Sequence, residues 1–547
     1  MDTPPAAKRP NEDGDIPSPK RAKTVGENEP LEADGAGHAA NEPLTPPAAS
    51  AEGTTGESAA VKRRDATGFP KSRKGKEKGT KHAGRRARAR TEPAADDARA
   101  QDTSGEPKAP RLPKRMCALL IGFCGSGYSG MQIQQNSTTI ENTLFDALVR
   151  IGAVSQDNAD DPVKVGIARA ARTDAGVHAA GNVVSLKMIV HVPGVPDLTA
   201  RINEELPPEI RLWGHVRAQN SFNPRTLCDS RKYTYFFPTY LLIPPKPTSA
   251  LYRVLTEHAA SLSPPMPSPI VGHPFWAEGA ETSTESEDMA RKRAWRVPPA
   301  QLEQLRTSAQ KYIATHNFHN FTVNGVFGDR SNLRIMKNIV ISDPVVYGAT
   351  EWISVLFHGQ SFMMHQRKMI SALVLSCRTG TPPQVIDELY GPRDVFIPKM
   401  PALGLLLEEP IFDSYNARIA RVNEKLKPTD ADYRPPIDFN AHRAAIDAFK
   451  ETHIYDNMRR VEDRDGLFDA WIRMVDAYNG NDLLYLNPRG TIPPAAVIKD
   501  KDRYRKGAFR EKRQFDSTSF PDVKRSLDAD EEEEVEVDQK KRVETEG

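Results

Sequence analysis

Cysteine is scarce in this sequence: four residues in 547, at Cys117, Cys124, Cys228 and Cys377. No two of them form a C-x-x-C pair and no nearby histidine completes a zinc spacing. A structural metal and a disulfide framework are therefore both set aside, and the thiols read as reduced. Long apolar runs are missing as well. The apolar stretch at residues 369–375 is far shorter than the roughly 20 residues a membrane-crossing helix needs. The opening MDTPPAAKRP lacks the apolar core of a secretory signal. The protein is expected to be intracellular and soluble, with no membrane partner. Residues 1–112 contain few large apolar side chains, too few to offset chain entropy, so this arm is expected to be disordered. The charged stretch 488–547 reads the same way.

Charge is not scarce, but its near-balance hides segregation. The formal net charge is +2, yet residues 61–90 hold 13 Lys and Arg against 2 acids, and 8 of the 11 residues at 528–538 are acidic. Two basic clusters, at residues 8–23 and 71–90, lie in the N-terminal arm. Each fits a nuclear import signal, a nucleic-acid contact or a solvated tail, and their pairing favours import. The nucleus and its import machinery are the expected location and partner.

Between the tails the pattern is globular. MCALLIGFCG reads as a strand, and STTIENTLFDALVRIGAV as a helix, with Ile140, Leu144, Ala147, Leu148 and Ile151 at helical spacing and Thr138 and Glu141 as a capping box. NVVSLKMIV, IRLWGHVRA and RKYTYFFPT read as strands, and DLTARINEELP as a short helix. After a polar, Pro-rich insertion at 263–298 the pattern resumes, with a helix at PAQLEQLRTSAQKYIATH, strands at LRIMKNIVI and EWISVLFHG, and a helix at SFMMHQRKMISALVLSC. Two similar mixed passes, 113–262 and 299–415, make an α+β domain of two halves, followed by a helical extension at 416–487.

GSGYSG, residues 125–130, matches the dinucleotide-binding G-x-G-x-x-G. MQIQQNS separates it from the next helix, which starts near Thr139, and no acid follows at the required distance. A glycine loop that approaches another backbone explains it better.

The stretch ARTDAGVHAAGN contains one carboxylate, Asp174. By local pattern a lone loop aspartate is a turn former or a helix cap. Hydrolytic glycosidases need two carboxylates. A one-acid site suits a reaction whose leaving base stays in the pocket and is re-attached, such as the isomerisation of uridine to pseudouridine.

Six blocks then carry a resemblance. ARTDAGVHAAGNVVSLK resembles the active-site loop of the TruA-type tRNA pseudouridine synthases, with DAGVH in the form typical of bacterial members, where the eukaryotic nuclear branch often has a lysine and a serine at the positions of Ala175 and His178. GFCGSGYSGMQIQ, FNPRTLCDSRKYTYFFPT, THNFHNFT, GQSFMMHQRKM and MPALGLLLEEPIF are similar to its other blocks in the same order, and FKETHIY to a segment of the eukaryotic branch. The resemblance implies a central, largely antiparallel sheet shared by two catalytic halves with a basic cleft between them. It implies Asp174 as nucleophile, attacking the ribose C1′ or the uracil ring, or else deprotonating the sugar, and Arg367 as its ion-pair partner. Tyr233 would stack on the uracil and Arg172 would position the RNA, with Gly176 and His178 supporting the loop. An aspartate is ionised near neutrality by its ordinary pKa of about 3.9, and a paired guanidinium would keep it charged when dry. On residues alone, Tyr233 reads as a core aromatic and Arg172 as a surface charge. On a strand, Arg231, Tyr233, Tyr235 and Phe237 share a face.

The branch usually reads His-Gln-Ile-Arg-Lys-Met where this chain has HQRKM, one residue shorter. Inside a helix that would rotate the sequel by about 100°, leaving Arg367 either on the buried face or turned to solvent. The expected substrate is tRNA, with structured mRNA or snRNA as extras; no cofactor and no metal are required, and the protein is expected to be a monomer. A displaced Arg367 would point instead to a non-catalytic RNA-binding or RNA-folding protein on the same scaffold.

Overall fold

The computed structural model describes residues 112–499, apart from 135, 277–281 and 324, together with Phe515, Asp516 and Thr518. The basic clusters of the N-terminal arm and the acidic run near residue 531 lie outside the described residues.

The first half begins with β1 (Lys114–Phe123) and α1 (Ile140–Arg150). The two-residue β2 (Ala168–Arg169), β3 (His178–Ile189), α2 (Leu198–Glu205), β4 (Ile210–Arg217) and β5 (Ser230–Pro238) follow. The middle stretch is helical: α3 (Ala250–Ser261), α4 (Glu285–Ala294) and α5 (Pro299–Gln310). The second half adds β6 (Ala314–Asn317), β7 (Leu333–Ile341), β8 (Val345–Tyr347) and β9 (Thr350–Gly359). It closes with α6 (Lys368–Arg378), α7 (Val385–Glu388) and β10 (Leu405–Ile411). The extension carries α8 (Asp413–Asn423), α9 (Arg443–Phe449), α10 (Asp456–Asp465) and α11 (Leu467–Asp476).

The strands form a single mixed sheet in the order β4-β1-β3-β10-β5-β9-β7-β6, with β2 on β3 and β8 on β9. All pairs are antiparallel except one. β10 runs parallel to β3, with Leu406 opposite His178 and Leu407 opposite Ala179, and antiparallel to β5, with Leu407 opposite Tyr233. A strand from the end of the second half thus separates β3 from β5, and this joint sets the site. The loop entering β3 and the residues in the middle of β5 emerge a strand apart, on either side of Leu407.

The alternation along β5 fixes what faces where. Tyr235 and Phe237 are fully buried, whereas Arg231 and Tyr233, on the same face, run into the cleft. Leu305, Ala309 and Tyr312 of the α5 region bury against α6, whose residues from Lys368 to Arg378 are all buried. A helix apolar on nearly every side belongs between a sheet and other helices.

Three local readings need correction. The cap of α1 is Thr139, whose Oγ1 accepts from the Asn142 amide, and the Glu141 carboxylate does not cap at all. It is buried against the Arg169 guanidinium, at 2.5 and 2.8 Å, and accepts from the Ile133 amide. The helix expected from Ser361 starts only at Lys368, so His365, Gln366 and Arg367 of HQRKM fall in a turn ahead of it. Within that turn His365 has a left-handed backbone, φ +58°, a conformation costly for a residue with a Cβ. Finally, residues 488–499 are not tail: Val497 bridges Val395, the Ile498 amide donates to the Asp394 carbonyl, and Phe515 is buried in the main core. Their apolar side chains pack although their flanks are charged.

Candidate active site

The Asp174 loop is built by backbone bonds. The Val177 amide donates to the Asp174 carbonyl across a four-residue turn whose third residue, Gly176, has φ +73°. Such a turn needs a residue that tolerates positive φ. The buried Asn182 amide clips the start of the loop: its Nδ2 donates to the Ala171 carbonyl at 3.0 Å, and its Oδ1 accepts from the Ala171 amide at 3.2 Å. The glycine loop presses on the other side. The Met131 amide donates to the Thr173 carbonyl, and a Cβ on Gly125 would sit 2.1 Å from the Val177 carbonyl oxygen. The G-x-G-x-x-G pattern therefore serves backbone packing.

His178 lies behind the loop, fully buried. Its Nδ1 accepts from the Gly125 amide at 3.0 Å and its Nε2 faces the Leu403 carbonyl at 3.1 Å. A carbonyl only accepts, so the imidazole carries its proton on Nε2. Burial lowers its pKa to about 4. A neutral ring thus ties the glycine loop to the segment before β10.

The loop opens on a cavity of about 700 Å³ between the halves. Asp174 is the sole acid among its lining residues, which include Arg169, Arg172, Arg225, Arg231, Arg334 and Arg367. The Asp174 side chain keeps 37% of its surface exposed, and its Oδ2 lies 3.6 Å from Nδ1 of His365. Tyr233 faces the cavity with Phe362 against its ring, centroids 4.8 Å apart and edge to face. Enclosure of its hydroxyl, reinforced by the Asp174 charge and opposed by Arg231, pushes its pKa up to about 12. It is a neutral phenol at any working pH. Arg231 Nη2 donates to the Ala170 carbonyl at 2.8 Å, tying β5 to the Asp174 loop. Arg172 is exposed at the cavity mouth.

Of the two placements left open for Arg367, the structure has the buried one, lining the cavity, but not with the expected partner. Its Nη2 donates to the carboxylate of Asp516, whose other oxygen lies 2.5 Å from Lys399 Nζ. The ion pair with Asp174 is replaced by one with a residue far along the chain, because the turn at 364–367 and the irregular segment at 396–401 before β10 bring both cations to the place where Asp516 docks. Phe362 and His365 were in view within GQSFMMHQRKM and were not singled out. Asp516 and Lys399 carry no local signal that would have marked them.

A wide basic cleft around one acid and a neutral phenol is the apparatus of a nucleic-acid-modifying enzyme, not of a paired-carboxylate hydrolase. Comparison with known proteins narrows the class. The chain is 40% identical over 416 residues to tRNA pseudouridine synthase 1 of Eremothecium gossypii, covering 69% of this chain and 76% of that protein. It is 36% identical over 485 residues to the protein of the same name from Schizosaccharomyces pombe, covering 72% and 89%. Identity to the Saccharomyces cerevisiae protein of that name is 39% over 411 residues, covering 68% and 73%. No family model matches the chain. This chain belongs to the tRNA pseudouridine synthase 1 family, the eukaryotic TruA-type branch.

Proposed function

We propose that the protein isomerises uridine to pseudouridine in tRNA, with Asp174 as the nucleophile on a flipped-out nucleotide. The observation that carries this reading is the isolation of Asp174: one carboxylate in a cavity whose other lining residues include six arginines and no second acid. Arginines of the cleft take the phosphates and give binding that weakens with salt. The target base leaves its stack at a cost of a few kcal/mol and enters between Tyr233 and the Asp174 loop. Phe362 holds the Tyr233 ring on edge, so the phenol presents a fixed face for stacking. Attack by Asp174 on ribose C1′ breaks the N1–C1′ bond; the freed uracil turns, C5 bonds to C1′ as the Asp174–C1′ bond breaks, and C5 then loses its proton while N1 gains one. Attack on the base instead makes a bond from Asp174 to C6 that is broken again after C5 has bonded to C1′. Arg172, at the mouth, holds the RNA backbone beside the vacated stack.

Structured mRNA and snRNA offer the same cleft the same backbone and are proposed as further substrates. The paired basic clusters of the N-terminal arm support nuclear import, and the protein acts as a monomer.

Release of tritium from tRNA labelled at uracil C5 tests the function. Asp174→Ala abolishes release and leaves tRNA affinity within about threefold, since phosphate contacts carry most of it. Release by the Asp174→Ala protein at the parent's rate would refute the reading. The alternative, a non-catalytic RNA-binding protein, draws on the pairing of Arg367 with Asp516; absence of release from every tRNA would favour it.

A further inference from the structure

Two buried cations meet beside the candidate nucleophile. The Arg367 side chain is 1% exposed and that of Lys399 is 6% exposed. Like charges at this depth repel strongly and need an anion between them. Asp516 is that anion, one oxygen on each. It arrives on a seated stretch of chain. Phe515 is buried in the main core. The Thr518 carbonyl accepts from the Gly127 amide at 2.6 Å, and its hydroxyl lies 2.9 Å from that of Ser126, itself held by Asn457 Nδ2 at 2.8 Å. The Asp516 carbonyl oxygen lies 2.7 Å from where a Cβ on Gly176 would be, so the turn carrying Asp174 is packed against this stretch.

Only one nitrogen of Arg367 is used by this contact. Its Nε and Nη1, both buried, have no hydrogen-bond partner among the described residues, and Arg367 lines the cavity that holds Asp174. A buried guanidinium held by one end, with two further donors in a substrate cavity, is suited to a negative charge there.

We propose that Asp516 is a positioning residue of the active site: it clamps Arg367 by Nη2 and neutralises Lys399, so that the remaining donors of Arg367 are presented to the charge that forms at Asp174 and its substrate. The proposal rests on the reading of Asp174 as nucleophile. The docked Phe515, Asp516 and Thr518 then complete the catalytic site from the far end of the chain. Asp516 is not among the residues lining the cavity, and its carboxylate reaches the site through Arg367.

The test uses the full chain under single-turnover conditions with saturating enzyme, which separates the rate constant from the fraction of active protein. Asp516→Ala lowers the rate constant by about 10- to 100-fold and leaves tRNA affinity unchanged. A purely structural role would lower the active fraction and leave the rate constant of the rest alone. Formate, which fits the space between the two cations, raises the rate constant of Asp516→Ala, while chloride at the same ionic strength does not. Asp516→Glu keeps the charge, and so the fold, but shifts the carboxylate by one methylene; it lowers the rate constant by about tenfold with an unaltered melting temperature.

An Asp516→Ala or Asp516→Glu rate constant within about twofold of the parent's overturns the proposal. A rate constant above the parent's also overturns it, because Asp516 would then restrain Arg367 instead of presenting it. Failure of formate to accelerate Asp516→Ala overturns it as well. Asp174→Ala run alongside keeps the two claims apart: an inactive Asp174→Ala with an unaffected Asp516→Ala removes only this inference.

Discussion

Asn182 offers the sharpest test of how the fold holds the candidate nucleophile. It is fully buried, and its carboxamide satisfies both the amide and the carbonyl of Ala171, three residues before Asp174. Asn182→Leu keeps the approximate size and burial but orphans both backbone groups in a dry place. Each orphan costs about 1–3 kcal/mol, so the two together cost about 2–6 kcal/mol, with about 4 as the central value. The loss is smaller if the loop lifts enough to admit water, and then Asp174 moves instead. A displacement of about 1 Å at a reacting group costs about 100-fold in rate. Either way the variant pays, in stability or in turnover. Thermal melting reads the first, with a fall of roughly 4–8 °C expected. Single-turnover tritium release from tRNA labelled at uracil C5 reads the second. Melting within about 1 °C together with a rate within about twofold of the parent's would refute the claim that this clip sets the loop.

Three further outcomes follow from the same geometry. His178 has its pKa lowered by burial to about 4, below its unfolded value of about 6.5. Its contribution is full above pH 6.5 and is lost as the pH falls towards 4, roughly 3 kcal/mol in all. Melting temperature against pH should drop over that window and flatten in His178→Gln. Glu462 is the opposite case. Burial raises its pKa to about 7 while it accepts from the Tyr240 hydroxyl and from the Phe468 amide at 3.0 Å. A raised carboxyl pKa favours the fold below the unfolded value and loses that advantage as the pH rises through 7; Glu462→Gln should therefore raise the melting temperature at pH 8 and change it little at pH 5. Tyr233→Phe keeps the edge-to-face contact with Phe362 and loses only the hydroxyl. Tritium release should fall about 100-fold or more if the phenol handles the C5 proton, with tRNA affinity unchanged; equal rates would leave Tyr233 as a stacking ring alone.

What the sequence by itself determined is local. The apolar alternation of MCALLIGFCG and the helical spacing of TLFDALVRI specify β1 and α1, because periods of 2 and 3.6 are written in neighbouring residues. The same alternation puts Arg231 and Tyr233 on the face that ends in the cleft, and the isolation of Asp174 was visible before any fold was known. Only the tertiary structure decided which distant groups meet. β10 enters between β3 and β5, so Leu407 separates the Asp174 loop from Tyr233. Glu141, which looks like a capping residue, gives its carboxylate to Arg169. Arg367, spaced to share a buried face with Ile370 and Val374, takes as partner an aspartate from a stretch whose composition reads as tail. Charge pairing depends on distance in space and on burial, and neither is encoded in the residues beside Arg367 or beside Asp516.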